Sequence, residues 1–239
     1  MKEYYARRAA EYEDIYLKAE RQEDLNQLKA ILSGAFSGMD VLEIACGTGY
    51  WTQFLAKTAR SILATDINPG VLELAREKNY GACNVSFALA DAYGLGKLDW
   101  QRNCAFHGFW WSHLPRKRIP EFLVALHGKL CPDSKVIMID NLFVEGSSTP
   151  RARRDDAGNT YQFRRLKDGS THEVLKNFPS ESMLREDLRG WSRYLRFQPF
   201  RYYWIGEYET ISNQGQEAVV RLGNDCGLVV PWNDPLLLK

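Results

Sequence analysis

Residues 41–51 have the sequence VLEIACGTGYW, in which an apolar run leads directly into a turn that contains Gly47 and Gly49. A short apolar run of this kind predicts a buried strand. The glycines carry no Cβ, so the backbone of the turn can approach a ligand closely. Residues 50–57 are expected to open a helix. A strand, a glycine turn and a helix in this order place a ligand outside the carboxyl end of the strand.

The alternation of strand and helix continues along the chain, which predicts an α/β fold with a doubly wound, mostly parallel sheet of seven strands. Strands are predicted at residues 40–45, 61–66, 85–89, 104–110, 135–140, 195–200 and 202–208. The last two are expected to form an antiparallel pair at the sheet edge. Helices are predicted at residues 50–57, 71–78, 116–130 and 181–188.

Two segments depart from this alternation within a predicted single domain of residues 1–239. Residues 1–32 show an amphipathic, tyrosine-rich pattern that predicts an N-terminal helical lid. Residues 144–178 contain no long helix, and Asp168-Gly169 between two alternating runs is a strong hairpin signal. We expect this segment to be an insertion that covers the substrate. A dimerisation arm is the alternative, because an exposed hairpin edge can pair with its copy.

The 239-residue chain contains 31 basic and 30 acidic residues, and its formal net charge is +1. This balance argues against a large basic surface for nucleic acid. The five cysteines form no CxxC pair and no cluster with histidine, so neither a metal site nor a disulfide framework is indicated. No apolar run approaches ~18–20 residues, the length that spans a bilayer. The expectation is a cytoplasmic protein, a monomer or a homodimer, with neither a nucleic acid nor a membrane as partner.

Two acidic residues stand at the ends of predicted strands, Asp66 after the second strand and Asp91 after the third. The carboxyl ends of parallel strands meet at one edge of a sheet, so both acids are expected near the glycine turn. A carboxylate at Asp66 can accept hydrogen bonds from both hydroxyls of a ribose, and one at Asp91 can accept from an adenine amino group. Either acid alone could equally be a cap or a solvated loop residue. Three strand-end motifs in register favour a binding site.

Residues 43–49, Asp66 and residues 90–92 resemble the cofactor motifs of the class I S-adenosylmethionine-dependent methyltransferases that act on small molecules. The similarity extends over roughly residues 41–140. It implies S-adenosylmethionine as the cofactor and S-adenosylhomocysteine as the product. The cofactor-binding residues that it implies are Tyr4, Tyr12, Glu43, Ala45, Gly47, Gly49, Asp66, Ile67, Asp91 and Ala92.

The resemblance also implies a role for each group of residues. The glycine turn packs against the cofactor, and Glu43 lies near its amino-acid end. Asp66 holds the ribose, while Asp91 and the backbone amide of Ala92 bind adenine. The tyrosines of the N-terminal segment close the site, unless that segment is an ordinary amphipathic packing helix.

Residues 108–113, GFWWSH, follow the predicted fourth strand at the edge of the cofactor site. Trp110 and Trp111 are expected to bind the acceptor, a small aromatic or hydrophobic molecule, with the alternative that one of them belongs to the core. The sequence leaves open whether the methyl group goes to oxygen, nitrogen or carbon. His113 is expected to act as the general base if the acceptor must lose a proton, because imidazole titrates near neutral pH. A loop histidine that shapes the pocket is the other interpretation.

Two further functions remain open on the sequence alone. A nicotinamide-dependent oxidoreductase also carries a ribose-binding acid after its second strand, but its fingerprint requires a small residue at the position of Thr52. Nothing in that family corresponds to Asp91-Ala92. A non-catalytic protein of the same fold would keep the cofactor motifs as a relic, and turnover of the cofactor with any acceptor would distinguish it from an enzyme.

Overall fold

The computed structural model describes residues 2–97 and 101–211. Its α-helices are α1 (Lys2–Arg7), α2 (Gln22–Ala35), α3 (Thr52–Leu55), α4 (Pro69–Arg76), α5 (Ile119–His127) and α6 (Glu181–Asp187). Its strands are β1 (Asp40–Ile44), β2 (Ser61–Asp66), β3 (Asn84–Leu89), β4 (Arg102–Gly108), β5 (Leu130–Asn141), β6 (Arg153–Arg154), β7 (Thr160–Arg165), β8 (Thr171–Leu175), β9 (Ser192–Pro199) and β10 (Tyr203–Thr210). Met1 of the predicted lid and residues 212–239 of the predicted domain lie outside the described residues.

Seven strands form one sheet in the order β3-β2-β1-β4-β5-β10-β9. The first five pair in parallel, and β10 pairs antiparallel with both β5 and β9. This order confirms the predicted doubly wound, mostly parallel α/β fold with an antiparallel edge. The chain order reverses between β1 and β4, and sheets of this kind bind ligands beyond the carboxyl ends of the strands at such a switch point.

Buried side chains cover both faces of the sheet, because alternate residues of a strand point to opposite sides. Val41 of β1 and its partner Cys104 of β4 pack in one core cluster. Their neighbours Leu42 and Ala105 pack in a second cluster. Helix α2 contributes to the first cluster and helix α5 to the second. None of the helices in the described residues is both long and apolar enough to cross a membrane.

The N-terminal segment, predicted to be a helical lid at residues 1–32, consists of several short helical pieces. After α1 the chain forms 3-10 turns over Ala9–Leu17 and Ala19–Arg21, and α2 begins only after them. Lys18 separates the two turns with an extended conformation, φ −61° and ψ 118°. The break directs residues 9–17 across the glycine turn, where the Tyr16 hydroxyl accepts a hydrogen bond from Nε1 of Trp51 at 2.9 Å.

Strand β4 ends at Gly108, two residues earlier than predicted, because Phe109 has a left-handed backbone with φ 58°. That conformation is uncommon for a residue with a Cβ. A 3-10 turn over Trp111–His113 follows at once, so the side chains of this segment no longer alternate as in a strand. Helix α3 is also shorter than predicted and contains only four residues.

Residues 153–175 contain a separate three-stranded antiparallel sheet in the order β6-β7-β8. Strands β7 and β8 flank Asp168-Gly169, as the hairpin signal predicted, and Gly169 in the turn between them has φ 87°. Strand β6 was not predicted. Tyr4 of α1 packs in a small cluster with Leu166 and Val174 of this insertion. The N-terminal segment therefore contacts both the main sheet and the insertion.

Asp24 links α2 to the loop before β10. Its buried carboxylate accepts a hydrogen bond from the backbone N–H of Tyr202, with Oδ2 at 2.7 Å. We predict that Asp24→Ala lowers the free energy of unfolding by about 1–3 kcal/mol, because it leaves a buried N–H without a partner. Glu23→Ala, at an exposed position of the same helix, should change it by less than about 0.5 kcal/mol. Urea denaturation measures both values, and equal losses would contradict the prediction.

Candidate functional site

A cavity of about 240 Å³ lies at the switch point, beyond the carboxyl ends of the central parallel strands. We call it the switch-point cavity. Most of its lining belongs to the segments that end or follow β1, β2, β3 and β4. From these segments come Ile44, Ala45, Gly47, Thr65, Asp66, Ile67, Asn68, Ala90, Asp91, Ala92, Tyr93, Gly108, Phe109, Trp110 and His113.

Hydrogen bonds of Asp66 hold the glycine turn against the end of β2. The carboxylate accepts from the backbone N–H of Gly47 at 3.0 Å and from that of Asn68 at 2.9 Å. Burial raises the pKa of Asp66, while these two amides act in the opposite direction. Both Ala45 and Gly47 have a positive φ, 54° and 56°, so the turn is tight enough to expose its backbone to the cavity.

Asp91 contributes a second carboxylate to the switch-point cavity. Its side chain is exposed, and Oδ1 accepts a hydrogen bond from the backbone N–H of Tyr93 at 3.0 Å. Ala92 between them is buried and presents an apolar surface to the cavity. The lining therefore combines two carboxylates with an apolar wall, an arrangement typical of a small-molecule site.

A second cavity, of about 440 Å³, lies between the N-terminal segment and the insertion. We call it the insertion cavity. Its lining comes from residues 4–21, from the last residue of β5 and the segment up to residue 149, and from β7 with the residues that follow β8. The lining is rich in charge. Its cationic side chains are Arg8, Lys18, Arg21, Arg164, Arg165 and Lys176, and its carboxylates are Glu11 and Asp14.

Four side chains line both cavities and form the wall between them: Tyr5, Tyr12, Phe109 and His113. Nδ1 of His113 lies 2.7 Å from the carbonyl oxygen of Leu175. A carbonyl oxygen can only accept, so Nδ1 carries the hydrogen and Nε2 accepts from the Tyr5 hydroxyl at 2.8 Å. We call these four residues the shared wall.

His113 is neutral in this arrangement. Burial lowers its pKa well below 6.5, and the positive charges of Lys176 and Arg164 lower it further. Since one ring nitrogen donates and the other accepts, the neutral imidazole satisfies both of its hydrogen-bonding groups. The Tyr5 hydroxyl is protonated as well, because burial raises its pKa.

A buried ion pair connects the insertion to the main sheet beside this wall. Lys176 Nζ lies 3.0 Å from Oδ1 of Asp140 and donates to the Ser112 hydroxyl at 2.6 Å. Burial lowers the pKa of Lys176 to about 8, although the negative charge of Asp140 acts to raise it. Oδ2 of Asp140 accepts from the backbone N–H of Ser112 at 2.8 Å, so the turn that carries His113 is held at the same point.

Residues 41–133 match the model of a methyltransferase domain family. The structure is also similar to that of the DhpI–SAH complex, with a TM-score of 0.70 and 25% identity over 87% of this chain and 94% of DhpI. The DhpI–SAM–HEP complex gives a TM-score of 0.70 and 26% identity over 86% and 94%. Together these similarities support a class I S-adenosylmethionine-dependent methyltransferase, with a matched domain at residues 41–133.

Two curated methyltransferases share a shorter part of the sequence. The malonyl-[acyl-carrier protein] O-methyltransferase of Acetivibrio thermocellus is 36% identical over 91 residues, which are 37% of this chain and 31% of that protein. The demethylmenaquinone methyltransferase of Staphylococcus aureus is 32% identical over 96 residues, 39% and 38% of the two chains. The matches thus span less than two fifths of these relatives. They favour the methyltransferase over the nicotinamide-dependent alternative.

Most of the residues that the methyltransferase resemblance implied lie together in the switch-point cavity. They are Tyr12, Ala45, Gly47, Asp66, Ile67, Asp91 and Ala92, together with the acceptor residue Trp110 and the candidate base His113. Their common position follows from the sheet order, because β1, β2, β3 and β4 all end at this edge.

Glu43 of β1 and Gly49 of the glycine turn do not line the switch-point cavity. Glu43 is buried, which raises the pKa of its carboxyl to about 8, and its Oε2 has no hydrogen-bond partner. Gly49 packs against Ala75 of α4 and against Tyr80. Both residues support the turn in this structure, and their expected contact with the cofactor stays a prediction.

Trp111 and Tyr4 also lie away from their expected positions. Trp111 is buried in the core, where its ring stacks on His107 with centroids 5.9 Å apart, and it lines neither cavity. The left-handed residue before Trp110 rotates the two tryptophans so that only Trp110 faces the switch-point cavity. Tyr4 lines the insertion cavity instead, because α1 rests on the insertion.

Sequence reasoning missed the charged residues of the insertion cavity. Arg8, Arg164 and Lys176 are far apart in the chain, and no local pattern connects them. Tyr5 belongs to the tyrosine-rich segment that predicted a lid, which was the available signal for its position. The basic cluster of residues 151–154 is exposed and lines neither cavity.

Gly49 and Gly81 allow the packing of the turn to be tested separately from its backbone conformation. Both have a positive φ, 78° and 63°, but a Cβ at Gly49 would collide with the Tyr80 hydroxyl and lie 3.1 Å from the Cβ of Ala75. A Cβ at Gly81 would meet nothing within 4 Å. We predict that Gly49→Ala destabilises the protein by about 1–3 kcal/mol more than Gly81→Ala, since overpacking adds to the shared strain. Equal urea midpoints would show that the turn tolerates the Cβ.

Proposed function

We propose that this protein transfers a methyl group from S-adenosylmethionine to a small acceptor molecule. The switch-point cavity holds the cofactor and the insertion cavity holds the acceptor. The observation that carries this proposal is the shared wall, at which the two cavities meet. Methyl transfer from a sulfonium is an in-line displacement, so both partners must be aligned on opposite sides of the methyl carbon.

The lining of the switch-point cavity fits the cofactor. The carboxylates of Asp66 and Asp91 can accept hydrogen bonds from hydroxyl and amino groups, and Ile67, Val71 and Ala92 offer apolar surface to a flat ring. When bound, the cofactor supplies an electrophilic methyl group on a positively charged sulfur. The aromatic rings of the shared wall suit such a cation, because ring faces attract positive charge. The SAH and SAM in the DhpI structures support this assignment.

The N-terminal segment and the insertion are proposed to align the acceptor and exclude water. Tyr5 and Tyr12 of the N-terminal segment line both cavities, and β7 of the insertion lines the second. Removing water strengthens the electrostatic interactions inside the site and prevents hydrolysis. The expected roles of residues 1–32 as a lid and of residues 144–178 as a substrate cover belong to this proposal.

The acceptor is proposed to be a small molecule because the insertion cavity, of about 440 Å³, has the size of a small-molecule site. The names of the two curated relatives specify different acceptors, so neither acceptor is assigned to this chain. A screen of small acceptors with methyl-labelled cofactor tests the proposal directly. Cofactor binding without turnover of any acceptor would instead support the non-catalytic alternative.

Asp66 is proposed to hold the ribose of the cofactor. We predict that Asp66→Ala weakens S-adenosylmethionine binding by roughly 1.5–3 kcal/mol, because it removes a pair of charge-assisted hydrogen bonds. Calorimetry measures the affinity, and a urea curve controls for the loss of the Gly47 and Asn68 contacts. Asp156→Ala removes an exposed carboxylate outside both cavities and should bind normally. Unchanged affinity of Asp66→Ala would assign the ribose to another group.

His113 is proposed as the general base for an acceptor that must lose a proton. Its Nε2 accepts from Tyr5, so the acceptor proton passes to the Tyr5 oxygen as the Tyr5 hydrogen moves to Nε2. We predict that His113→Ala and Tyr5→Phe each lower kcat by about 100-fold or more, the usual contribution of base catalysis, while cofactor affinity is kept. His172→Ala, at a histidine that lines neither cavity, serves as the control.

The pH profile of kcat tests the same role. The pKa of His113 is lowered, so its basic form persists below pH 6.5 and kcat should fall only as the pH drops further. At high pH the solvent can deprotonate the acceptor, so the deficit of His113→Ala should shrink. A variant with near-parental kcat at neutral pH would leave His113 as a structural residue.

A further inference from the structure

The insertion cavity carries an excess of positive charge. Its lining includes the six cationic side chains named above and two carboxylates, Glu11 and Asp14. Both carboxylates face Lys167, whose Nζ lies 3.9 Å from Glu11 and 2.7 Å from Asp14. Lys167 is exposed and does not line the cavity, so the two acids are neutralised from outside.

Two of the cations have spare hydrogen-bonding capacity. Arg8 donates to the Tyr4 hydroxyl at 2.9 Å, and Arg164 donates through Nε and Nη2 to Oε1 of Gln162 at 3.3 and 3.0 Å. Each guanidinium has five N–H groups, so neutral partners use only part of them. No carboxylate of the described residues forms an ion pair with either arginine.

Other cations of the lining already have partners. Lys176 is paired with Asp140. Arg21 donates to the hydroxyl and the carbonyl oxygen of Ser147 at 3.0 and 3.2 Å and is 7% exposed. Lys18 donates to the carbonyl oxygen of Ser147 at 2.9 Å, and Arg165 is exposed to water. Arg8, whose guanidinium lies 5.4 Å from the ring centre of Tyr12, and Arg164 are therefore the cations best placed to receive an anionic partner beside the shared wall.

The charge of Arg164 reaches the shared wall. Burial and Lys176 are the larger causes of the lowered pKa of His113, and the charge of Arg164 lowers it further. The same charge also lowers the pKa of Tyr5, against the effect of burial. An anion in the insertion cavity would therefore lie within the field of Arg164 and beside the two residues proposed to handle the proton. A purely aromatic or hydrophobic acceptor would leave both guanidinium groups without an anionic partner.

We propose that the insertion cavity binds a small acceptor through an oxyanion group, a carboxylate or a phosphate, held by Arg8 and Arg164. The assignment of the bound molecule as the acceptor rests on the proposed function. Guanidinium groups match the planar geometry of these oxyanions and bind them through paired, charge-assisted hydrogen bonds. This proposal replaces the aromatic or hydrophobic acceptor expected from the two tryptophans.

The test is a calorimetric titration of the full chain at low, fixed ionic strength, with and without saturating S-adenosylhomocysteine. The probes are inorganic phosphate, isobutyrate and its neutral isostere isobutyramide. At least one anion should bind, and isobutyramide should bind more weakly than the preferred anion. Preference for phosphate or for isobutyrate identifies which oxyanion the site selects. The proposal would be overturned if neither anion bound, or if isobutyramide bound as tightly as the preferred anion.

Matched variants locate the anion. Arg8→Gln and Arg164→Gln should each weaken binding of the preferred anion by about tenfold or more, since each removes charge-assisted hydrogen bonds. Arg164→Lys should restore part of the affinity, because it returns the charge without the planar donor pair. Arg153→Gln removes an exposed arginine paired with Glu173 outside the cavity and should bind normally. Parental affinity in both the Arg8 and the Arg164 glutamine variants would overturn the proposal.

The same titrations separate this proposal from the function on which it rests. Failure of the parental chain to bind S-adenosylhomocysteine would contradict the methyltransferase assignment, whatever the anions do. Anion binding that depends on Arg8 and Arg164 would still support the oxyanion site in that case. Retained S-adenosylhomocysteine affinity in the arginine variants shows that the loss of anion binding is local and not a failure to fold.

Discussion

The buried ion pair between Asp140 and Lys176 joins the main sheet to the insertion, and the shared wall depends on it. Both charged groups are almost completely removed from water, and the Ser112 hydroxyl accepts a further hydrogen bond from the ammonium group. Removal of one partner would bury the other charge without compensation, which costs about 3–5 kcal/mol in proteins. His113 follows Ser112 in the chain, and Leu175 precedes Lys176. The hydrogen bond between His113 and the carbonyl oxygen of Leu175 therefore lies directly beside the ion pair. The ion pair thus fixes the imidazole through the backbone on both sides.

The same pair sets the electrostatics of the two cavities. Burial and the ammonium group of Lys176 both lower the pKa of His113, so the wall presents a neutral imidazole. The positive charge that keeps the ring neutral faces the insertion cavity, where Arg8 and Arg164 add to it. On the other side, Asp66 and Asp91 make the switch-point cavity partly acidic. A wall that is uncharged itself therefore separates a cavity lined by Asp66, Asp91 and Arg118 from a cavity with an excess of cationic side chains.

Patterns confined to a few neighbouring residues were sufficient to predict the fold and the position of the switch-point cavity. Apolar runs defined the parallel strands, and the acids at their ends met at one edge because parallel strands share a direction. The choice between Trp110 and Trp111 could not be predicted, since it depends on the left-handed backbone of Phe109, which no residue type at that position requires. The insertion cavity could not be predicted either. Its arginines lie in the N-terminal segment after α1 and in β7, which are far apart in the sequence. The net charge of the whole chain, +1, does not reveal that these cations lie together.

The N-terminal segment couples the two cavities, because Tyr5 and Tyr12 line both of them and Arg8 lines the second. Its ion pairs with the insertion, such as Arg7 with Asp168 at 2.8 Å, are exposed. Exposed pairs contribute little to stability, so the position of the segment depends mainly on apolar packing such as that of Tyr4. Displacement of this segment would open both cavities at once and remove one arginine of the oxyanion site together with the partner of His113. The packing of this segment, through Tyr4 on the insertion and Tyr16 on the main core, therefore determines whether the two halves of the site are complete at the same time.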